Sequence, residues 1–135
     1  MEKFYLKITS SSGIFYEGEC KSLVLPTDDG EYGVLANHSS MVIGICIGIL
    51  RYKIEDEWKY VVVGQGFSRV VGNTVLVVVD SAERPEDIDE NRAREAKRRA
   101  EERLSLQNSR REYYRGKFAM TRAMTRLKAK SKRYM

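Results

Sequence analysis

The sequence contains few of the residue types on which metal proteins and disulfide scaffolds depend. It has two cysteines, one histidine, two prolines and one tryptophan in 135 residues. Cys20 and Cys46 have no CxxC spacing, and His38 is the one histidine that could join them in a metal site. The sequence therefore requires no metal. In a chain with no secretory leader, we expect the two cysteines to be reduced, half-buried thiols.

Long hydrophobic runs are also absent. The longest apolar stretch, residues 41–50, is about half of the ~20 residues that a membrane-spanning helix needs. Residues 1–7 show neither the apolar core of a signal peptide nor an Arg-rich transit segment. We therefore expect a protein that stays in the compartment where it is made and does not insert into a membrane directly.

Recognisable catalytic arrangements are missing as well. No Gly-rich loop ending in Lys-Ser or Lys-Thr is present, which excludes the usual phosphate-binding loop of an NTPase. Neither a Ser/His/Asp set nor a pair of carboxylates suited to acid–base chemistry is evident. The sequence therefore favours a protein without catalytic activity.

Charge is distributed very unevenly along the chain. Residues 1–83 contain 7 Lys/Arg and 11 Asp/Glu, a net charge of −4, whereas residues 84–135 contain 17 and 8, a net charge of +9. Such a break predicts two modules with different partners. We place the boundary between residues 1–84 and residues 85–135.

The first module has the pattern of an all-β domain. Apolar and polar residues alternate in residues 4–9 and 21–25, and β-branched runs follow at 42–50, 60–63 and 74–79. Gly, Asp and Asn turns separate these runs at about 8–12 residue spacing, which is typical of a sandwich or barrel. We predict an antiparallel β-sandwich or barrel of about ten strands.

Helical signals begin at Pro85, whose missing N–H needs no partner in a first helical turn. Asp87 and Glu90 have the spacing of a capping box, and Ser109 and Glu112 repeat it after a polar interruption at residues 105–108. Apolar stripes at helical spacing follow each box. Their members are Ala93, Ala96, Ala100 and Leu104 in the first helix, and Tyr113, Met120, Ala123, Met124 and Leu127 in the second.

These signals predict a two-helix antiparallel hairpin, so the fold class is α+β by segment. The stripe is thin, and its docking is worth only a few kcal/mol. A hairpin that opens and closes and a hairpin that stays docked both fit the pattern.

Several motifs together resemble the epsilon subunit of bacterial and chloroplast F-type ATP synthases. Gly30-Glu31-Tyr32-Gly33-Val34-Leu35-Ala36-Asn37-His38 is similar to the family's GEFGVLPNH segment, with Ala36 in place of proline. Gly66-Phe67 with Val70-Val71 resembles the GGF-x-EV strand, with Gln65 where glycine is usual, and residues 77–83 resemble the last strand. The resemblance covers essentially the whole chain in the right order.

This resemblance implies partners and a location. It implies that the sandwich binds the gamma subunit and contacts the c-ring, with Glu31 and His38, taken to share one loop, as the rotor-contact residues. It also implies that the basic second helix contacts the alpha and beta subunits in an inhibitory state. The protein would then be peripheral on the cytoplasmic face of the bacterial plasma membrane. Without the resemblance, the sequence favours a surface or turn histidine bonded to nearby backbone for His38, and the alternative for Glu31 is an ordinary solvated turn acid.

Ile88-Asp89-Glu90-Asn91-Arg92-Ala93 matches the family's I/L-D-x-x-R-A motif, which implies that ATP binds as a regulatory ligand without being hydrolysed. The resemblance assigns adenine recognition to Asp89 and its neighbours Ile88 and Ala93, and phosphate binding to arginines. These are Arg92 and Arg99 on the first helix and Arg122 and Arg126 on the second, since guanidinium groups hold phosphates well. Helix capping by Asp89 is the competing interpretation.

Two other functions fit parts of the sequence. From residue 113 to the C-terminus there are eight Lys/Arg and no acidic residue, a composition that also suits nucleic acid or an anionic surface. The absence of interleaved aromatic residues weakens the nucleic-acid interpretation, so we expect no nucleic acid as a partner. A small hydrolase or transferase is weaker still, because it lacks a catalytic arrangement.

Overall fold

The computed structural model describes residues 2–105 and 110–132 of the chain, and the side chains of residues 2–103 and 115–131. It divides the chain into two units whose boundary lies between Arg84 and Pro85. The first unit contains strands and the second contains helices. The predicted fold class, a β-sandwich followed by a two-helix hairpin, is confirmed.

Within the described residues, ten strands form two five-stranded sheets. The first sheet has the order β2-β1-β9-β8-β5 and the second has the order β10-β7-β6-β3-β4. Their bounds are β1 Phe4–Ser10, β2 Gly13–Cys20, β3 Ser22–Thr27, β4 Gly30–Leu35, β5 Met41–Ile45, β6 Gly48–Ile54, β7 Glu57–Val63, β8 Gly66–Val71, β9 Thr74–Val79 and β10 Ala82–Glu83.

One strand pair differs from the antiparallel prediction. β1 and β9 are parallel, with Leu6 opposite Val75, whereas the other pairings are antiparallel. The chain between these two strands passes through the second sheet, so they are not joined by the tight turn that an antiparallel pair allows.

The core lies between the inner faces of the two sheets. Alternate residues of several strands are fully buried there, such as Leu6 and Ile8 of β1 and Leu23 and Leu25 of β3. Both cysteines are free; Cys20 is buried in this core and Cys46 is half-buried. Burial raises the pKa of each thiol.

Two strand predictions were wrong in detail. The run at residues 42–50 is not one strand, because it ends in β5 and restarts as β6 in the other sheet. The backbone N–H of Cys46 donates to the carbonyl of Pro26 at 3.0 Å at this crossing. Residues 30–35 form β4, so Glu31 lies in a strand and not in a loop. The turn residues Asp28-Asp29 close a hairpin directly before it.

The helical unit begins with a 3-10 turn (Pro85–Asp87), followed by α1 (Glu90–Ser105) and α2 (Arg110–Lys132). The predicted capping box at Asp87 and Glu90 was wrong. The backbone N–H of Ile88 donates to the carbonyl of Pro85 at 3.2 Å and closes the 3-10 turn, so α1 begins only after this turn. Asp89 is the N-cap instead, since its Oδ1 accepts from the backbone N–H of Arg92 at 3.1 Å. The second predicted box, at Ser109 and Glu112, lies outside the described side chains.

A seam of small residues joins the two helices. Ala93, Ala100 and Ala123 are buried in it, as are two residues that the pattern did not single out, Gly116 and Ala129. Ala96, Met120 and Leu127 are half-buried, and the side chains of Leu104 and Tyr113 are outside the described part. Met124 is 48% exposed, so its assignment to the seam was wrong; it follows Ala123 by one residue, or about 100° of helix.

α2 has 23 residues and α1 has 16, so α2 extends about 10 Å beyond the start of α1 and contacts the 3-10 turn. Among the residues described, neither helix is both long and apolar enough to cross a membrane.

Candidate functional site

The arginines of the predicted nucleotide site lie on one side of the helical hairpin. Arg92, Arg99 and Arg122 each come directly before a buried alanine of the seam. A residue one position before the seam is rotated from it by about 100°. Because α1 and α2 are antiparallel, this rotation leads to the same side of the hairpin in both helices.

The polar groups of the predicted site do not all lie at the same height along the hairpin. Arg92 lies 13 residues before the end of α1 and Arg122 lies 12 residues after the start of α2, so the two are level. Asp89 and Arg126 are each 16 residues from the same ends and are also level. Arg99 is seven residues, or about 10 Å, further along α1. The register therefore brings four of the five predicted polar groups together and leaves Arg99 at one end.

Ion pairing separates these arginines from others on α1. Arg94 pairs with Glu90 at 2.6 Å, and Arg98 pairs with Glu95 at 2.5 Å and also with Glu102. Within residues 2–103 and 115–131, the side chains of Arg92 and Arg122 make no ion pair. Two guanidinium groups at one height are thus available to an anion.

Arg99 is electrostatically engaged within its own helix. The hydrogen bond and charge of Arg98 lower the pKa of Glu95, and the charge of Arg99 adds a smaller effect. Arg126 also has a partner within the protein. Arg126 is therefore less available than Arg92 and Arg122.

The three motif residues beside the arginines have different surroundings. Ile88 is 4% exposed and Ala93 is 2% exposed, so both support the packing of the hairpin. The exposed Asp89 caps α1 through one carboxylate oxygen, as the competing interpretation expected. Among the described residues no donor contacts the other oxygen, which remains for a ligand. This arrangement can bind a polyanion beside a hydrogen-bond acceptor.

The two predicted rotor-contact residues do not lie together. Glu31 points from the outer face of the second sheet, whereas the next side chain, Tyr32, packs towards the core. His38 contacts Tyr32, with its ring edge-on at 5.7 Å between centroids. The structure therefore places Glu31 and His38 on opposite faces of β4.

His38 is held by the protein itself. Its Nδ1 lies 2.8 Å from the carbonyl oxygen of Ser39, so Nδ1 carries a proton and donates. Its Nε2 lies 3.0 Å from the hydroxyl of Tyr32, which also lies 3.1 Å from the sulfur of Met41. The alternative given above for this residue, a histidine bonded to nearby backbone, describes what is seen.

Glu31 is exposed but has one partner. Its Oε2 lies 3.4 Å from Nη2 of Arg51, whose guanidinium lies 4.9 Å from the ring centre of Trp58. The sequence pattern did not single out Arg51 or Trp58. The signal was present, since both lie at outward positions of β6 and β7, in the same sheet as β4.

An exposed apolar surface was also missed. Val42, Phe67, Val71 and Tyr5 are 67%, 43%, 50% and 41% exposed. They alternate with buried residues in the strands of the first sheet, so they share its outer face. We call these four residues the apolar face. A strand with apolar residues at its outward as well as its inward positions is the sequence signal for such a surface.

Metal binding has no support in the described part of the chain. There, no group of three or more His, Cys, Asp or Glu residues is arranged to hold an ion.

Comparison with known proteins identifies the family. Residues 3–85 match the family model for the beta-sandwich domain of the ATP synthase delta/epsilon chain, and residues 86–131 match that for its long alpha-helix domain. The chain is 41% identical over 133 residues to the ATP synthase epsilon chain of Ruminiclostridium cellulolyticum, which covers 98% of this chain and 99% of the relative.

Two solved structures share the fold. One is the Euglena gracilis mitochondrial ATP synthase, OSCP/F1/c-ring, with a TM-score of 0.80 and 23% identity over 91% of this chain and 78% of that one. The other is the central stalk/c-ring of the Tetrahymena thermophila mitochondrial ATP synthase, with a TM-score of 0.70 and 12% identity over 96% and 97%. From the family matches and the full-length relative, the chain belongs to the ATP synthase delta/epsilon chain family, as an epsilon-type, non-catalytic subunit.

Proposed function

We propose that this subunit lies in the central stalk of a proton- or sodium-translocating ATP synthase. There its sandwich couples the rotor, and its hairpin restrains ATP hydrolysis when ATP is scarce. The similar folds in a central stalk/c-ring assembly support the location. As part of that complex, the subunit is peripheral on the cytoplasmic face of the bacterial plasma membrane. The match of residues 86–131 to the family's helix domain favours this over a nucleic-acid-binding tail.

The apolar face of the first sheet is the surface we assign to the gamma subunit. Phe67 stands opposite Gly44 in the neighbouring strand, so its ring has open space beside it. Exposed apolar groups of this size on one sheet face mark a contact surface. Phe67→Glu should abolish co-purification with gamma. Leu35→Glu, at a 57% exposed site on the other sheet, is the matched control and should not.

We assign the rotor-ring contact to Glu31 rather than to His38. Its side chain is 66% exposed, whereas the ring nitrogens of His38 are both occupied within the protein. His38 then shapes the segment before β5, while Glu31 meets the ring.

Regulation by ATP is assigned to the arginine side of the hairpin. The observation that carries this proposal is the level placement of Arg92 and Arg122, which have no ion-pair partner among the described side chains. A polyphosphate bound there joins α1 to α2, with Arg126 and Arg99 at its margins and Asp89 beside the base. Ligand bound only by the closed hairpin stabilises it by RT ln(1 + [ATP]/Kd). When ATP falls, the hairpin opens.

The open hairpin acts as the brake through α2. Arg115, Lys117 and Lys128 are exposed on this helix, and no acidic residue accompanies them between residues 115 and 131. Such a surface is complementary to acidic segments of the beta subunits, next to alpha, in the catalytic ring. Binding of the basic helix there blocks rotation and therefore hydrolysis.

Calorimetry with the full-length subunit tests the nucleotide site. Replacing Arg92, Arg122 and Arg126 by alanine together should abolish ATP binding. Arg94→Ala with Arg98→Ala is the matched control, because it removes two arginines of α1 that are already paired with glutamates. Unchanged affinity in the triple variant, or an equal loss in the control, would overturn the assignment. Hydrolysis by the assembled enzyme at low ATP, with and without residues 85–135, then tests the brake.

A further inference from the structure

The environment of Glu31 contains a basic side chain with a fixed geometry. Arg51 lies in β6 opposite Val24 of β3, and Glu31 lies in β4 opposite Pro26 of the same strand. The two side chains therefore leave the outer face of the second sheet two strands apart. Nη2 of Arg51 reaches Oε2 of Glu31 at 3.4 Å across β3.

Trp58 fixes the other side of the guanidinium. Cζ of Arg51 lies 4.9 Å from the Trp58 ring centre, which is within the range of a cation–π contact. Nε of Arg51 is buried and has no hydrogen-bond partner in the described structure, so the Trp58 contact and Glu31 are what hold this group. Lys53 lies over the same ring at 5.9 Å but makes no ion pair with Glu31.

We propose that Arg51, held on Trp58, is a positioning residue that orders the carboxylate of Glu31 for its contact with the rotor ring. This inference rests on the rotor-ring contact proposed above. A long, exposed side chain loses rotamer freedom when a partner binds, and ordering it beforehand reduces that loss. Arg51 engages Oε2 only, so Oε1 remains for a hydrogen-bond donor or a cation of the ring.

The isolated full-length subunit offers a direct test of the arrangement, because Trp58 is its one tryptophan. Arg51→Gln should change Trp58 emission and increase its quenching by acrylamide. Glu31→Gln should change the same signals in the same direction but less. Arg51 then keeps its contact with the Trp58 ring and loses only its ion pair with residue 31. A Glu31→Gln spectrum identical to that of the unmodified protein would show that the two side chains are not coupled and would overturn the proposal.

The assembled synthase tests the role. We expect Glu31→Gln to lower the ratio of ATP-driven ion pumping to ATP hydrolysis in vesicles. Arg51→Gln should reproduce at least half of that loss, and Arg51→Lys should lose less, because lysine keeps the charge. Lys53→Gln is the matched control, because it removes a cation from the Trp58 ring and does not affect the ion pair of Glu31. It should leave the ratio unchanged. Thermal unfolding of each variant confirms that the sandwich is intact.

The outcomes separate the two proposals. If Glu31→Gln lowers the ratio and Arg51→Gln does not, Arg51 has no positioning role and the rotor contact stands. If Glu31→Gln leaves the ratio unchanged, the rotor contact itself is wrong, and the role of Arg51 falls with it. An equal loss in Lys53→Gln would show a general charge effect and would also overturn the inference.

Discussion

Three glycines, one in β5, one in β8 and one just before β8, allow a graded test of how the sandwich is packed. A Cβ added at Gly66 would lie 1.9 Å from the carbonyl oxygen of Val78 and 2.7 Å from Cα of Val79. Both are backbone atoms of the paired strand β9, so the strands themselves must separate. Gly66 has no left-handed φ, and the cost of Gly66→Ala is therefore steric.

The magnitude follows from two contributions. Overpacking a tight site costs about 1–3 kcal/mol, and a weakened strand hydrogen bond adds about 1 kcal/mol. We expect Gly66→Ala to lower the free energy of unfolding by about 2–4 kcal/mol, or Tm by about 10–25 °C for a domain of this size. Urea unfolding followed by the fluorescence of Trp58 in β7 measures it.

Two other glycines provide the comparison. At Gly64 an added Cβ would lie even closer to another atom, 1.6 Å, but that atom is Oδ1 of the exposed Asp80 side chain, which can rotate away. At Gly44 nothing lies within 4 Å. We expect Gly64→Ala to cost about 1 kcal/mol and Gly44→Ala to be neutral or stabilising by up to about 1 kcal/mol. A larger loss for Gly64→Ala than for Gly66→Ala would refute the reasoning, because it would show that distance alone decides the cost.

Other predictions concern single groups of the sandwich. Ser68 is fully buried, and its hydroxyl has no partner in the described structure, so Ser68→Ala should leave the free energy of unfolding unchanged or raise it by up to about 1 kcal/mol in urea titrations; a clear loss would reveal a partner. Half-buried Cys46 should react with a thiol reagent before buried Cys20, which should react only on unfolding, and both slowly at neutral pH because their pKa values are raised. A hydrogen bond from Lys3 lowers the pKa of Glu55 from 4.5, so its small stabilisation is present above that pH and is lost as pH falls through the lowered value. The Tm difference between Glu55→Gln and the unmodified protein should therefore disappear on acidification.

The pattern of the sequence predicts the sandwich where each strand has one buried face. Period-two alternation marks β1 and β3, since these strands bury every second residue. The same rule misleads at residues 42–50, because β5 and β6 follow each other with two residues between them and both carry apolar residues outward. Their separation into two sheets depends on contacts with distant residues such as Pro26, which local periodicity does not contain.

Helix starts were predicted less well than helix faces. Acidic residues at positions 87, 89 and 90 all suit a first turn, so spacing alone does not choose among them. Asp89 is the N-cap of α1 because Asp87 already belongs to the 3-10 turn. The seam, in contrast, follows from alanine spacing in α1, whereas in α2 the pattern misplaced Met124 and missed Ala129. The seam fixes which arginines share one side of the hairpin. Arg51 escaped prediction because only sheet pairing brings it to Glu31, and Trp58 escaped because it contacts Arg51 and not Glu31 itself.

The placement of an arginine directly before Ala93, Ala100 and Ala123 has a consequence for regulation in the proposed function. The seam buries small residues such as Ala93, Ala100 and Ala123, so it holds the helices together only weakly. A ligand at 100 times its Kd stabilises the state that binds it by about 2.7 kcal/mol, which is close to the few kcal/mol expected from such a seam. A seam that closed the hairpin much more strongly than this would keep it closed at any ATP concentration, and the arginines beside it would sense nothing. A weak seam is therefore a requirement of the switch, and replacing Ala123 by a residue that strengthens closure should remove the ATP dependence of the brake while leaving ATP binding intact.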